Sequence, residues 1–263
     1  MNILITAGGT TEQIDRVRRI SNAASGRLAS AVAHEFVRQG GGRIERIFYV
    51  CERNAAVPAL DRLELVTTRG TEGVGNALTR ILTSEKIDAV IHSMAVSDYT
   101  VESMTTAEDL GDYIARRLWQ REEPFADEAA LADFVSDCIR GNDRLLDRSN
   151  KLSSNLSHPL LALSPTPKLI SRIKALQPET ILVGFKLLDG VPQQELMDVS
   201  HALLQKNACD FVLANDLSEI SGERHVGYLL SPDGHYVHCG TKQEIAETIV
   251  KNVLALYERR YGK

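Results

Sequence analysis

Residues 2–26 constrain this chain more than any other stretch. Asn2-Ile3-Leu4-Ile5-Thr6 is short, apolar and rich in β-branched residues, the composition of a buried first strand. Gly8-Gly9-Thr10 follows at once. Leu28, Val32, Phe36 and Val37 then recur at helical spacing, which predicts a helix beginning near Ser25 or Gly26. Strand, glycine turn and helix is the layout of a nucleotide-binding α/β edge. There, glycines let backbone N–H groups approach phosphates and the helix N-terminus adds partial positive charge. The connection from Gly9 to Ser25 is long for such a turn and carries Asp15, Arg16, Arg18, Arg19 and Asn22. A charged loop of that length at a strand's C-terminal end predicts function.

Onward, strands are expected at residues 44–50, 63–67, 87–92, 180–185 and 210–214, and helices at 71–82, 191–204 and 241–257. Thr71 is read as an N-cap, Pro167 as the first residue of a helix, and Thr241 with Glu244 as a capping box. Residues 226–230 and 235–238, joined by Pro232-Asp233-Gly234, read as a β-hairpin. Alternating strands and helices predict an α/β fold, a Rossmann-like parallel sheet flanked by helices with that hairpin near the C-terminus. Residues 105–150 are polar, with helical patches at 113–119 and 131–139. The expectation is one domain over 1–263, with a lid or dimerisation insertion at about 102–158.

With 263 residues, 43% hydrophobic and 25% charged, the chain has the composition of a globular domain. Its formal charge of −5, without a basic run, argues against a nucleic-acid surface. No apolar run approaches the ~20 residues that span a bilayer, and no basic segment opens a secretory signal. Four scattered cysteines fit reduced thiols, so a cytoplasmic protein is expected.

Each candidate site residue has a plain reading beside a functional one. Gly8 and Gly9 make a tight turn or, with Ser25-Gly26 opening the helix, wrap a polyphosphate; neither a strict G-x-G-x-x-G nor a Walker lysine is present. Asn22 reads as a helix N-cap or turn residue. Arg16, Arg18 and Arg19 are a solvated face or a fork for a phosphate. Asp98 caps a turn or meets a nucleotide's Mg²⁺. Lys151, in a polar segment, reads as a solvated charge and Phe185 as core.

Taken in order, Gly8-Gly9-Thr10, Asp15-x-Val17-Arg18-x-Ile20-x-Asn22-x-x-Ser25-Gly26, Ala95-Val96-Ser97-Asp98-Tyr99, Lys151-Leu152-Ser153-Ser154, Gly184-Phe185-Lys186-Leu187 and Ala214-Asn215-Asp216 resemble the blocks of phosphopantothenate–cysteine ligases, in their stand-alone bacterial form. The resemblance covers nearly the whole chain and is weakest at about 105–150. It implies a coenzyme A biosynthesis ligase that activates 4′-phosphopantothenate with CTP, or ATP, to an acyl-nucleotide. The amide with L-cysteine then forms, releasing CMP and pyrophosphate.

The resemblance further implies catalytic Asn22 and Lys151, the lysine on a mobile flap. It places Gly8, Gly9, Ser25, Gly26, Ser93, Met94, Asp98, Phe185, Lys186, Lys206 and Asn215 at the nucleotide, and Asn22, Arg18 and Ala95 at the substrate. Asp98 is the implied Mg²⁺ ligand, and a homodimer is implied. The chain departs from the pattern in three places. Ala24 stands for a serine, Ala29 for a glycine, and Ala202 near a lysine whose charge Lys186 can supply.

Two other readings stand beside this one. An NAD(P)-dependent oxidoreductase of Rossmann type lacks support from a glycine fingerprint, from a Tyr-x-x-x-Lys pair, and from an acidic end to the second strand, which finishes Tyr49-Val50-Cys51. A catalytically decayed nucleotide-binding protein is opposed by the presence of Asn22, Asp98, Lys151 and Phe185.

Overall fold

A computed structural model describes residues 1–222 and 224–262, and the chain forms two compact units. The first comprises Met1–Thr11, Ser21–Ser97 and the chain from Pro167 onward; the second comprises Glu12–Ile20 and Asp98–Thr166.

The chain begins with β1 (Asn2–Ala7), then a short ribbon of β2 (Thr11–Gln13) and β3 (Arg19–Ser21), and enters α1 (Arg27–Gly40). β4 (Arg46–Cys51), β5 (Leu63–Thr67), α2 (Gly70–Ser84) and β6 (Ala89–His92) follow. Thr71 is not the predicted N-cap of α2. Arg69 holds that position, and Thr71 lies buried in the first turn.

The second unit contains β7 (Tyr99–Thr106), α3 (Ala107–Trp119), α4 (Glu128–Arg140) and β8 (Pro159–Pro165). The two helical patches expected there are longer helices. Each is capped by a side chain: Thr106 accepts from Asp109 N at 3.0 Å and Asp127 from Ala130 N at 2.8 Å. The antiparallel β7–β8 ribbon was not anticipated. Leu160-Leu161-Ala162-Leu163 has no alternation to mark a strand, and all four residues are exposed.

Back in the first unit come α5 (Ile170–Leu176), β9 (Ile181–Leu188), α6 (Gln193–Lys206), β10 (Phe211–Asp216), β11 (Ile220–Ser221), β12 (Arg224–Leu230), β13 (Tyr236–Thr241) and α7 (Lys242–Tyr261). α5 starts at Ile170 rather than at Pro167, which lies ahead of it. Thr241 caps α7 as expected, accepting from Glu244 N at 3.1 Å, while Glu244 reaches back to Gly240 N at 2.7 Å.

The nine-stranded sheet runs β11-β12-β10-β9-β6-β1-β4-β5, with β13 paired to β12. β10, β9, β6, β1, β4 and β5 are mutually parallel, and the β12–β13 hairpin adds antiparallel to β10. Because strand side chains alternate, Ile3 and Ile5 enter one core with Phe36, Tyr49, Ile249 and Val253. Leu4 enters the other with Phe48, Leu78, Ile173 and Leu204. Among the described residues, no helix is long and apolar enough to cross a membrane.

Candidate nucleotide and substrate site

The parallel strands deliver their polar termini to one carboxyl edge, where crevices in such sheets bind ligands. At its centre, the ends of β1 and β6 are stitched together beyond the strands. Ala95 N donates to Gly8 O at 2.8 Å, and Thr10 N donates to Ala95 O at 3.1 Å. Asn22 joins this seam, with its N–H on Thr10 O at 3.2 Å and Nδ2 on Ala95 O at 3.3 Å. Gly8 and Gly26 both sit at positive φ, 80° and 73°, and a β-carbon on Gly26 would lie 3.2 Å from Gly8 N. The glycine turn and the start of α1 are therefore neighbours, with Ser25 exposed beside them. Gly8, Gly9, Asn22, Gly26 and Ala95 thus lie together, with Ser25 next in the chain to Gly26.

Polar side chains hold this seam, among them Ser93 from the expected set and Thr6, His92 and Glu52, which were not in it. Thr6 Oγ1 accepts from Met94 N at 3.2 Å and lies 3.0 Å from His92 Nδ1. Ser93 Oγ donates to Thr6 O at 2.8 Å. Burial pushes His92 down to about 4, so its imidazole is neutral near pH 7. Thr10 Oγ1 accepts from Ser97 N at 2.8 Å. β4 ends at Cys51, as expected, and Glu52 follows it directly. The Glu52 carboxylate accepts from Thr11 N, Thr11 Oγ1 and Gly70 N at 2.8, 2.5 and 2.8 Å. It is buried structural glue, which removes it as a ribose ligand. The available signal was simple: threonines flank the glycine pair, and polar residues follow each strand end.

At the ends of β9 and β10, Phe185 and Lys186 are half-buried, and Phe185 packs on the core. Asn215 is buried, and its Nδ2 lies 3.3 Å from His225 Nε2. Next to it, Asp216 accepts from Ser218 Oγ and N and from the N–H groups of Gly190 and Val191. Those bonds, the Ser218 hydroxyl foremost, hold its carboxyl well below the usual carboxylate range.

Two expected residues point elsewhere. Met94 is buried in the apolar core, so only its backbone belongs to the seam. Lys206 ends α6, which runs back from the carboxyl edge toward the start of β10. It lies exposed by the opposite edge, separated from Asn215 by the length of a strand.

The second unit carries Arg18, Asp98 and Lys151. Asp15, with a fully buried side chain, accepts from the N–H groups of Val17, Arg18 and Leu152 at 2.8, 2.7 and 3.1 Å and pairs with Arg18 Nη1 at 3.5 Å. The Arg18 and Val17 N–H groups lower its pKa most. Lys151 and Asp98 are exposed. Among the described residues no cluster of three or more His, Cys, Asp or Glu could hold a metal.

This chain matches the family model described as "DNA/pantothenate metabolism flavoprotein C-terminal domain" over residues 1–108 and 101–257. It belongs to that family. A crystal structure described as the DNA/pantothenate metabolism flavoprotein from Streptococcus pneumoniae is 30% identical, with a TM-score of 0.75, and the match covers 97% of this chain and 99% of that one. Among sequences, the coenzyme A biosynthesis bifunctional protein CoaBC of Thermococcus kodakarensis is 27% identical over 94% of this chain and 49% of that protein. CoaBC of Methanocaldococcus jannaschii is 26% identical over 97% and 50%. The chain thus spans about half the length of these two relatives. A Cab2 mutant in complex with phosphopantothenate-cysteine shares the family fold at 17% identity and a TM-score of 0.66, over 98% of this chain and 86% of that one.

Proposed function

We propose that this chain is a phosphopantothenate–cysteine ligase, using CTP by preference and ATP as the alternative. The observation that carries the reading is the seam at the carboxyl edge. Within a chain of this family, Thr10 N and Asn22 Nδ2 both donate to the Ala95 carbonyl, Ala95 N donates to Gly8 O, and Gly26 lies against Gly8. Similarity to CoaBC proteins and to a fold seen with phosphopantothenate-cysteine supports the substrates.

In the first step a carboxylate oxygen of 4′-phosphopantothenate attacks the α-phosphorus, and the bond to pyrophosphate breaks. The amine of cysteine then attacks the acyl carbon. Nucleoside monophosphate leaves, and the amine's surplus proton passes to solvent. Backbone N–H groups around Gly8, Gly9 and Gly26 are suited to the phosphates. Asn22 keeps a second amide hydrogen, beyond the one on Ala95 O, for the charged acyl oxygen. Phe185 and Asn215 serve the base, Lys186 and Lys151 the phosphate charge, and Arg18 the substrate phosphate.

Asp98 is the carboxylate assigned to Mg²⁺. One carboxylate completed by phosphate oxygens suits that ion, which neutralises phosphate charge when bound. We assign residues 1–263 to one ligase domain, with its insertion at about 102–158, within the second unit. The homodimer is proposed through that insertion, supported by the exposed Leu160, Leu161 and Leu163 of β8 and by Trp119, which is 92% exposed. Four free, buried cysteines favour the cytoplasm.

Incubating the protein with 4′-phosphopantothenate, cysteine and each triphosphate tests the reading. Pyrophosphate release that requires the acid, with amide product, is expected. No acid-dependent release with any triphosphate overturns it.

A further inference from the structure

Lys151 is bracketed by two anchors, at residues 148 and 152, that both end on the loop of residues 12–20. Arg148 Nε donates to Ile14 O at 2.7 Å and Nη2 to Gln13 O at 2.9 Å. Its Nη1 donates to Val101 O at 3.0 Å and Glu102 O at 2.9 Å. With four carbonyls on its guanidinium, this arginine is committed to holding backbone rather than ligand. On the other side of Lys151, Leu152 N donates to Asp15 Oδ2 at 3.1 Å.

Asp15 divides its two oxygens between two tasks. Oδ1 takes the N–H groups of Val17 and Arg18, which together with the Ile14 and Asp15 N–H bonds to Arg18 O shape the turn that carries Arg18. The Oδ2 bond reaches a residue 137 positions away and adds nothing to that turn. It fixes the backbone beside Lys151 while Oδ2 also faces Arg18 Nη1 at 3.5 Å. Residues 148–152 span at most about 3.3–3.6 Å per residue. The Lys151 backbone is consequently confined within one residue of an anchor, while its ammonium stays exposed.

We propose that Asp15 and Arg148 form a clasp that sets Lys151 in place relative to Arg18, making Asp15 a positioning residue for the phosphate-handling lysine. The inference rests on the reading that Lys151 acts on the reacting phosphate. Two cationic side chains, one for each phosphorylated partner of the reaction, are thereby carried on one support.

Asp15→Asn separates the clasp from the turn. An amide oxygen preserves the bonds from Val17 and Arg18, but the amide NH₂ then meets the Leu152 N–H donor to donor. The experiment measures acid-dependent pyrophosphate release from CTP and 4′-phosphopantothenate, both saturating, for wild type, Asp15→Asn, Lys151→Gln and the double mutant. Melting curves and the KM for cysteine are recorded alongside. Each single change should lower kcat on the order of 10²-fold, as misplacement of a catalytic group does, with the KM for cysteine unchanged. The double mutant should be within about threefold of the slower single, since both remove one function.

Multiplicative losses overturn the clasp, as does a wild-type rate for Asp15→Asn when Lys151→Gln is slow. A wild-type rate for Lys151→Gln overturns the reading of Lys151 and the clasp with it. If Asp15→Asn melts below the assay temperature, Arg148→Lys takes its place in the same cycle. It keeps the charge but cannot span four carbonyls.

Discussion

A side chain on residue 9 would place its β-carbon 2.1 Å from the carbonyl oxygen of Asn22. Gly9 is thus the reason that Asn22 can lie against the strand end at all. Gly9→Ala must push the Asn22 backbone away, because neither partner is a flexible side-chain tip. We expect about 1–3 kcal/mol of lost stability, as for other overpacked sites, with a drop in triphosphate affinity. Thermal melts and calorimetric titration with CTP check this; a variant matching wild type in both would refute the close approach.

Asn22→Asp should permit binding or formation of the acyl-nucleotide and slow its conversion to amide. Loss of one donor to a charged acyl oxygen predicts a decrease on the order of 10²–10³-fold. Single-turnover reactions separate the two half-reactions. Near-normal amide formation would remove Asn22 from the acyl transfer.

The sheet was legible because its strands are short apolar runs with glycine or polar residues at their ends, as at Ile3-Leu4-Ile5 and Phe211-Val212-Leu213. The β7–β8 ribbon was not, because Thr100, Glu102, Ser103 and Thr105 read as loop and the leucines of β8 do not alternate. The motif blocks drew attention to Gly8, Gly9 and Asn22, and the structure brings these three together at the end of β1. Glu52 was missed, and the role of Thr10 was unread, because both receive backbone N–H groups from distant segments. Lys206, placed at the nucleotide by the resemblance alone, is the last residue of α6.

The two departures in the loop and α1 now separate. Ala29 is buried against the sheet, so its methyl packs the core. Ala24 is exposed, and its backbone oxygen would lie 3.6 Å from a β-carbon on Gly8. Ala24→Ser therefore adds a hydroxyl beside the glycine turn, worth about 1.5–3 kcal/mol at best if it reaches a charged oxygen. We expect tighter CTP binding by roughly ten- to a hundredfold in calorimetry. Equal affinities would show that Arg27 or Lys186 already meets that charge.

His92 predicts a pH dependence of stability. Its folded pKa lies below the unfolded value, so the unfolded chain binds the extra proton first as pH falls. Stability unaffected by His92 above pH ~6.5 should decline between there and pH 4, by about 3 kcal/mol from this group. His92→Gln, which still offers Thr6 an acceptor, should flatten that part of the curve. Denaturant melts across pH 4–8 check it; identical slopes for both proteins would exclude His92 as the source.

The pairing of β6 with β9 has a consequence for synthesis. Ala89, Val90 and Ile91 meet Ile181, Leu182 and Val183, so the middle of the sheet is closed by a strand made long after its neighbour. Until the ribosome has delivered the intervening chain, several seconds at roughly 5–20 residues per second, β6 has no partner on that side. The nascent chain must carry an open hydrogen-bonding edge, apolar on both faces, through that interval. Early termination between His92 and Ile181 should therefore yield a fragment that aggregates or is held by chaperones.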